Sequence, residues 1–302
     1  MNMRDDSILL TVFTPAYNRA HTIGRTYESL LRQSCKDFIW LIVDDGSTDE
    51  TAALVREWQK RDNGFEIRYA YKENGGMHTA HNTAYELIDT ELNTCIDSDD
   101  ALADDAVRKI LEKWTTVREK DYAGIIGLDA DFNGKVIGKG FPDGMTETTV
   151  IGYYNAGGSG DKKLVYRSDV IKRYPPYPVF EGEKYYSLSY KYRLIDEDYK
   201  LAVLDDILCN VDYQPDGSSN SMLRQYARNP KGFADWRKFS MQFPMSKKRL
   251  FIVCTHYVSS SILAKNRAFL RESPLKAMTI AALLPGLLLS CYIRLKTSRK
   301  RG

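Results

Sequence analysis

The 302-residue chain lacks most of what would mark it as secreted, repetitive or nucleic-acid-binding. Its five cysteines, at 35, 95, 209, 254 and 291, are odd in number and scattered, with no CxxC pair, so they read as free thiols of a reducing compartment rather than as staples. Neither charge is in excess: 43 basic against 40 acidic residues leave a formal +3, too even for a nucleic-acid binder. No repeat or low-complexity linker divides the chain. Arg4, Asp5 and Asp6 precede a short apolar run that reads as a buried strand, so no secretory signal is read there. The longest uncharged, mostly apolar stretch near the end, residues 277–293, is 17 residues long. As a helix it would reach about 25 Å, short of a hydrocarbon core of roughly 30 Å.

What is present suits a large catalytic domain, since 43% hydrophobic residues can bury an ordinary core. Short apolar runs at 8–13, 38–43, 67–71, 92–96 and 124–128 alternate with segments of helical period. This is the pattern of βα units, and it predicts an α/β fold with a Rossmann-like, mainly parallel sheet flanked by helices. Ile23, Tyr27, Leu30 and Leu31 share one helix face, as do Ala80, Ala84, Leu87 and Ile88, and Val107, Ile110, Leu111 and Trp114. Ser47 followed by Glu50 reads as a capping box. Beyond 128 the chain becomes rich in Gly, Tyr and Pro, as an acceptor-binding region of loops would be. Residues 220–272 turn helical and basic, with Phe251, Ile252, Val258, Ile262 and Leu263 interleaved among lysines and arginines. The expected division is a catalytic domain over 1–219 in two halves, 1–128 and 129–219, then an amphipathic helical extension 220–274 and an apolar and basic tail 275–302.

Parallel sheets bind ligands beyond the carboxyl ends of their strands, and three polar clusters stand at such ends. They are Thr14-Pro15-Ala16-Tyr17-Asn18-Arg19, then Asp44-Asp45-Gly46-Ser47-Thr48-Asp49, then Asp97-Ser98-Asp99-Asp100. Three carboxylates within four residues repel one another unless a cation lies among them, and hard divalent cations take oxygen ligands. Mg²⁺ or Mn²⁺ held in this way commonly completes its shell with substrate phosphates. A solvated turn is the plain alternative for an isolated Asp-x-Asp. Three clusters in register argue against it.

With Asn74-Gly75-Gly76 between the second and third clusters, the order and spacing over roughly residues 8–215 resemble the family 2 glycosyltransferases of the GT-A fold, particularly the bacterial capsular and exopolysaccharide enzymes. The resemblance implies a nucleoside site at Thr14, Pro15, Tyr17 and Asp45, with Asp45 reading uracil. It implies nucleotide-sugar contacts at Asn74, Gly75, Asp97 and Ser98, and a metal, Mn²⁺ or Mg²⁺, on Asp97, Asp99 and Asp100. The chain departs from many relatives after Asn-Gly-Gly, where Met77 and His78 replace a basic residue; His78 and His81 read more simply as ordinary polar helix residues. In members that invert the anomeric centre an acidic residue takes the acceptor proton. The resemblance favours Glu183, with Glu181 as runner-up, while Asp196, Glu197 and Asp198 read as a solvated turn. Residues 214–219 resemble a loop that closes over the diphosphate.

The expected activity is metal-dependent, inverting transfer from a nucleotide-diphosphate sugar, a UDP-sugar first, to a saccharide or lipid-linked saccharide in bacterial surface polysaccharide synthesis. Pro285-Gly286 is expected to break the apolar tail midway, giving a shallow or re-entrant element. Arg294, Lys296, Arg299, Lys300 and Arg301 would be drawn to anionic headgroups at the cytoplasmic face of the inner membrane. A buried core helix is the alternative for this segment. Rival functions are a sugar nucleotidyltransferase, which usually carries a Gly-rich basic phosphate loop absent near Thr14, and a membrane-tethered module that binds nucleotide sugars without turnover.

Overall fold

The structure is a computed structural model, and it describes residues 9–212 and 222–298. The loop expected at 214–219 lies outside the described residues. The chain forms two compact units, Met1–Pro176 with Lys191–Asp212, and Tyr177–Tyr190 with Tyr213–Gly302.

The first unit is built on β1 (Leu10–Ala16), β2 (Phe38–Asp44), β3 (Glu66–Tyr71), β4 (Leu92–Cys95), β5 (Ala101–Leu102), β6 (Tyr122–Ala130), β7 (Glu147–Thr148), β8 (Lys162–Arg167) and β9 (Lys200–Asn210). The sheet order is β3-β2-β1-β4-β8-β6-β9-β5, with β7 on β9. The run β3-β2-β1-β4 is wholly parallel, as predicted. Beyond it β8 runs antiparallel to both β4 and β6, but β6 and β9 pair in parallel again, so the sheet is mainly parallel with β8, β5 and β7 set antiparallel in it. The parallel half could be read from the sequence because each of its strands is followed by a helix. β8 follows a loop-rich stretch with no such alternation to announce it.

Both faces of the parallel half are covered. On one lie α1 (Ile23–Leu31), α2 (Thr51–Trp58) and α4 (Ala106–Val117), whose Ile23, Tyr27, Leu30, Val55, Trp58, Val107, Ile110 and Trp114 join Leu10, Val12, Trp40 and Ile42 in one core. The Tyr27 ring stacks on Trp58 with centroids 4.2 Å apart, and its hydroxyl donates to Asn63 Oδ1. Because strand side chains alternate, Phe13 points to the opposite face. There it meets His81 and Tyr85 of α3 (Met77–Leu87) edge-on. Leu31 and Leu87, placed on inward faces by their spacing, are instead exposed. The predicted capping box is absent: α2 begins at Thr51, and Asp49 accepts the Thr51 N–H while Ser47 turns back toward Asn18. Nor are the acidic residues at 196–198 a solvated turn. They end α7 (Ser189–Asp198), and Asp196 accepts the N–H groups of Val150 and Ile151 at the start of α5 (Val150–Asn155).

The second unit is helical, with α8 (Met222–Arg228), α9 (Pro230–Ser240), α10 (Lys247–Leu263), α11 (Phe269–Glu272), α12 (Lys276–Ala281) and α13 (Leu283–Ser298). Ala234, Met241, Val253, Cys254, Tyr257, Val258 and Ala282 form its core. Phe251 and Ile252, expected on an inward face, are exposed. The break in the tail falls at Ala282, three residues before Pro285. Pro285 therefore sits in the first turn of α13, where its missing N–H has no intrahelical partner to lose. Among the described residues no helix is long and apolar enough to cross a membrane.

Candidate active site

β1 lies between β2 and β4, all parallel, with Ala16 level with Asp44 and Phe13 level with Cys95. The three polar clusters therefore emerge side by side at one edge of the sheet, on strands about 4.8 Å apart. The first two are knitted together. Asn18, at a positive φ of 53°, donates its N–H to Ser47 Oγ and accepts the Thr48 N–H, while Arg19 and Ala20 donate to Thr51 Oγ1 and Asp49 Oδ2. Thr14 is fully buried and its hydroxyl accepts the Trp40 indole N–H; Pro15 is buried in the strand beside it. Tyr17, just past the strand, is 46% exposed.

Asp44 accepts the Tyr69 hydroxyl and the Ser47 N–H. Asp45, expected at the nucleoside, is 4% exposed, and its oxygens accept the N–H groups of Gly75 (2.9 Å) and Gly76 (2.7 Å) and the Lys72 ammonium (2.6 Å). It thus clamps the Asn74-Gly75-Gly76 turn against the second cluster. Gly46 makes that approach possible: at φ +81° it sits so close to Asn74 that a Cβ would meet the Asn74 nitrogen at 2.8 Å. Lys72 also donates to Thr79 Oγ1 in the first turn of α3. It lies two residues before Asn-Gly-Gly, and its ammonium is taken up by Asp45 and Thr79. His78 and His81 are buried, not ordinary polar helix residues. Burial lowers the His78 imidazole to about 4 and the His81 imidazole to about 3.

The third cluster follows β4. Thr26 of α1 donates its hydroxyl to the carbonyls of Asp97 and Asp100, and Arg25 donates to the Asp99 carbonyl, so the helix fixes the loop by its backbone and leaves carboxylates to project. One oxygen from each of Asp97, Asp99 and Asp100 lies within 4.8 Å of the others. Asp97 is exposed, Asp99 intermediate, and Asp100 and Ser98 buried. Loss of water raises all three carboxyls above the usual range, Asp100 to about 7, and their mutual repulsion adds to it. Three hard oxygen donors with like-charge strain fit a divalent cation.

Two groups here gave no sequence signal beyond their inward position on a strand. Lys163 of β8 is 8% exposed and donates to the Cys95 carbonyl at 3.0 Å. Burial works against its charge, but Cys209, Asp129 and Asp100 outweigh it and hold the ammonium well above its usual range. Asp129 of β6 is buried with no hydrogen-bond partner at Oδ1, and burial raises its carboxyl to about 6.

Glu181 and Glu183 belong to the second unit. Glu181 is exposed. Glu183, expected as the base, instead accepts the N–H groups of Lys231 and Gly232 at 2.8 Å each, one on either oxygen, and so anchors the start of α9.

Residues 11–170, just over half of the chain, match glycosyl transferase family 2. The chain belongs to that family. Chondroitin synthase of Escherichia coli is 32% identical over 133 residues, a stretch that takes in 44% of this chain and 19% of that protein. Glycosyltransferase GlyG of Streptococcus pneumoniae is 30% identical over 122 residues, 40% of this chain and 39% of its own length. The shared segment is therefore well under half of either relative. Staphylococcus aureus TarS 1–349, solved with UDP-GlcNAc, superposes with a TM-score of 0.59 at 16% identity, covering 96% of this chain and 92% of that one. Mannosyltransferase PcManGT of Pyrobaculum calidifontis, solved with GDP-Man and Mn²⁺, gives 0.56 at 16% identity, covering 94% and 87%. At such identity these structures establish a shared GT-A-like fold.

Proposed function

We propose that this family 2 enzyme transfers a sugar from a nucleotide diphosphate, a UDP-sugar first, to a saccharide or lipid-linked saccharide acceptor in bacterial surface polysaccharide synthesis, with inversion. The observation that carries this reading is the convergence of Asp97, Asp99 and Asp100 at the sheet edge shared with Tyr17 and the Asp45 clamp. Those three carboxylates would hold Mn²⁺ or Mg²⁺, which when bound offsets the charge of the diphosphate leaving group. Tyr17 supplies a ring for the base, and Ser98, Asn74 and Gly75 frame the donor. Asp45 acts by fixing the turn that carries Asn74 and Gly75. The Lys163 ammonium offsets part of the charge of Asp97 and Asp100.

The acceptor hydroxyl must lose a proton as the new bond forms, and a positioned base contributes roughly 10²–10⁴ in rate. Glu183, with both oxygens bonded to backbone, is poorly placed to take a proton. The candidates for the base remain Glu183 and the exposed runner-up Glu181, and their Gln variants decide between them. Membrane association through residues 275–302, at the cytoplasmic face, would bring the enzyme to a lipid-linked acceptor.

A panel of UDP- and GDP-sugars offered to the full chain with Mn²⁺ and a lipid-linked acceptor pool tests the reading. Nucleotide release that needs both acceptor and metal supports it, and product anomers read by NMR report inversion. Undiminished turnover in excess chelator would refute the metal assignment. Nucleotide-sugar binding without release would favour the non-catalytic alternative.

A further inference from the structure

Helix α13 has its polarity reversed. The side facing the second unit's own core carries Gly286, Ser290 and Ile293, and the approach to α10 is so close that a Cβ on Gly286 would meet Val258 Cβ at 2.5 Å and the Thr255 carbonyl at 3.0 Å. The side facing outward carries Leu284, Leu287, Leu288, Cys291, Tyr292 and Leu295, all exposed. Leu284, Leu288 and Leu295 are each more than 60% exposed. At about 100° per residue these six fall on one continuous stripe. A water-facing helix normally shows the opposite arrangement, apolar inward and charged outward. Here the larger apolar surface is the one left uncovered.

Charge decides what covers it. From Ser273 to the end the sequence contains no Asp or Glu, while Lys276, Arg294, Lys296, Arg299, Lys300 and Arg301 are basic. On the helix Arg294 and Lys296 lie on the two flanks of the stripe, each about 100° from its centre. Lys296 reaches back over the Tyr292 ring at 5.8 Å. A second copy of the chain docked by the same face would bring two all-basic segments together, because a two-fold interface places each patch against itself. An acidic partner protein would satisfy the charges but not a bare row of leucines. An anionic bilayer satisfies both, with acyl chains for the stripe, headgroups for the flanking cations and the interfacial zone for a tyrosine.

We infer that α13 is a membrane-docking helix that lies in the plane of an anionic lipid surface, sunk by its Leu284-to-Leu295 stripe and held by Arg294 and Lys296. From Leu284 to Leu295 the helix advances about 16 Å, roughly half a hydrocarbon core, so it lies along the surface rather than through it. The inference builds on the proposed membrane association by naming the face, its orientation and the lipid charge.

The test is co-sedimentation of the full chain with phosphatidylcholine vesicles prepared with and without phosphatidylglycerol. Wild type should pellet with the anionic vesicles and much less with the neutral ones. Leu284→Glu with Leu288→Glu should lower the bound fraction about tenfold or more. Arg294→Gln with Lys296→Gln should remove most of the preference for phosphatidylglycerol. Melting followed by circular dichroism and donor hydrolysis followed by UDP release report folding and catalysis separately. Lost vesicle binding with intact UDP release touches only the docking helix, whereas absent UDP release with intact vesicle binding touches only the transferase reading. The inference is overturned if the leucine variant, melting as wild type does, still pellets fully. It is equally overturned if wild type ignores both vesicle types, or if it is a dimer in solution that Leu288→Glu splits.

Discussion

Asp44 and Asp45 at the end of β2 and the Asp97-Ser98-Asp99-Asp100 segment after β4 stand only two strand spacings apart, yet the protein treats them in opposite ways. The first pair is saturated: its oxygens accept from Tyr69, Ser47, Lys72, Gly75 and Gly76. In the second cluster Asp100 accepts one backbone N–H, from Asp212, and Asp97 has a long 4.0 Å contact with Cys95 Sγ. Both segments read alike as acidic turns after strands. The difference teaches that one set of carboxylates is scaffold while the other is left crowded and little bonded, as the proposed cation site requires, because satisfied oxygens stabilise a fold while crowded ones raise their own proton affinity.

The comparison breaks most visibly at the second cluster. Asp99→Ala or Asp97→Ala should cut transfer by at least about 10²-fold, the cost of losing several kcal/mol of charge stabilisation at the leaving group. Melting temperature should hold or rise slightly, since a like-charge neighbour has gone. Asp45→Ala should do the reverse in kind. Loss of a buried ion pair and two N–H acceptors should cost about 3 kcal/mol in denaturant unfolding, with activity falling as the Gly75-Gly76 turn loosens.

Much of this contrast was legible in the sequence and part was not. The strands, the parallel order implied by βα alternation and the positions of all three clusters follow from period and from polar residues at strand ends. Which aspartates are saturated does not follow, because it depends on partners far along the chain. Lys72 and Gly75 reach Asp45 across about thirty residues, and Lys163 arrives on an antiparallel strand that no local pattern predicts. The bonding of Glu183 was hidden for the same reason: its partners are backbone N–H groups at the start of α9, nearly fifty residues on. The tail misled in a simpler way, since Pro285 looked like a break and instead opens a helix.

A smaller effect separates the two glutamates. If Glu181 rather than Glu183 takes the acceptor proton, Glu181→Gln slows transfer roughly 10²-fold with melting unchanged, as removal of a base does. Glu183→Gln should lower stability by about 1–2 kcal/mol through its two charged hydrogen bonds, with rate falling only in step. Equal and stability-linked losses in both would place the base elsewhere. The last effect is a pH dependence. Buried His78 takes up its proton only near pH 4 in the folded chain but near the ordinary imidazole value of 6.5 when unfolded, so the unfolded state binds more protons between those values. Stability should therefore fall as pH drops from about 6.5 to about 4. Part of that slope should vanish in His78→Asn, measured by denaturant midpoints across the range.

The most direct test of the contrast between scaffold and ligand-ready carboxylates is calorimetric titration of Mn²⁺ with UDP into the wild type, Asp99→Ala and Asp45→Asn. Metal-dependent binding in the wild type, its loss in Asp99→Ala at unchanged melting temperature, and retained metal dependence in a less stable Asp45→Asn are the predicted results. Asp99→Ala binding Mn²⁺ and UDP as the wild type does would contradict the account.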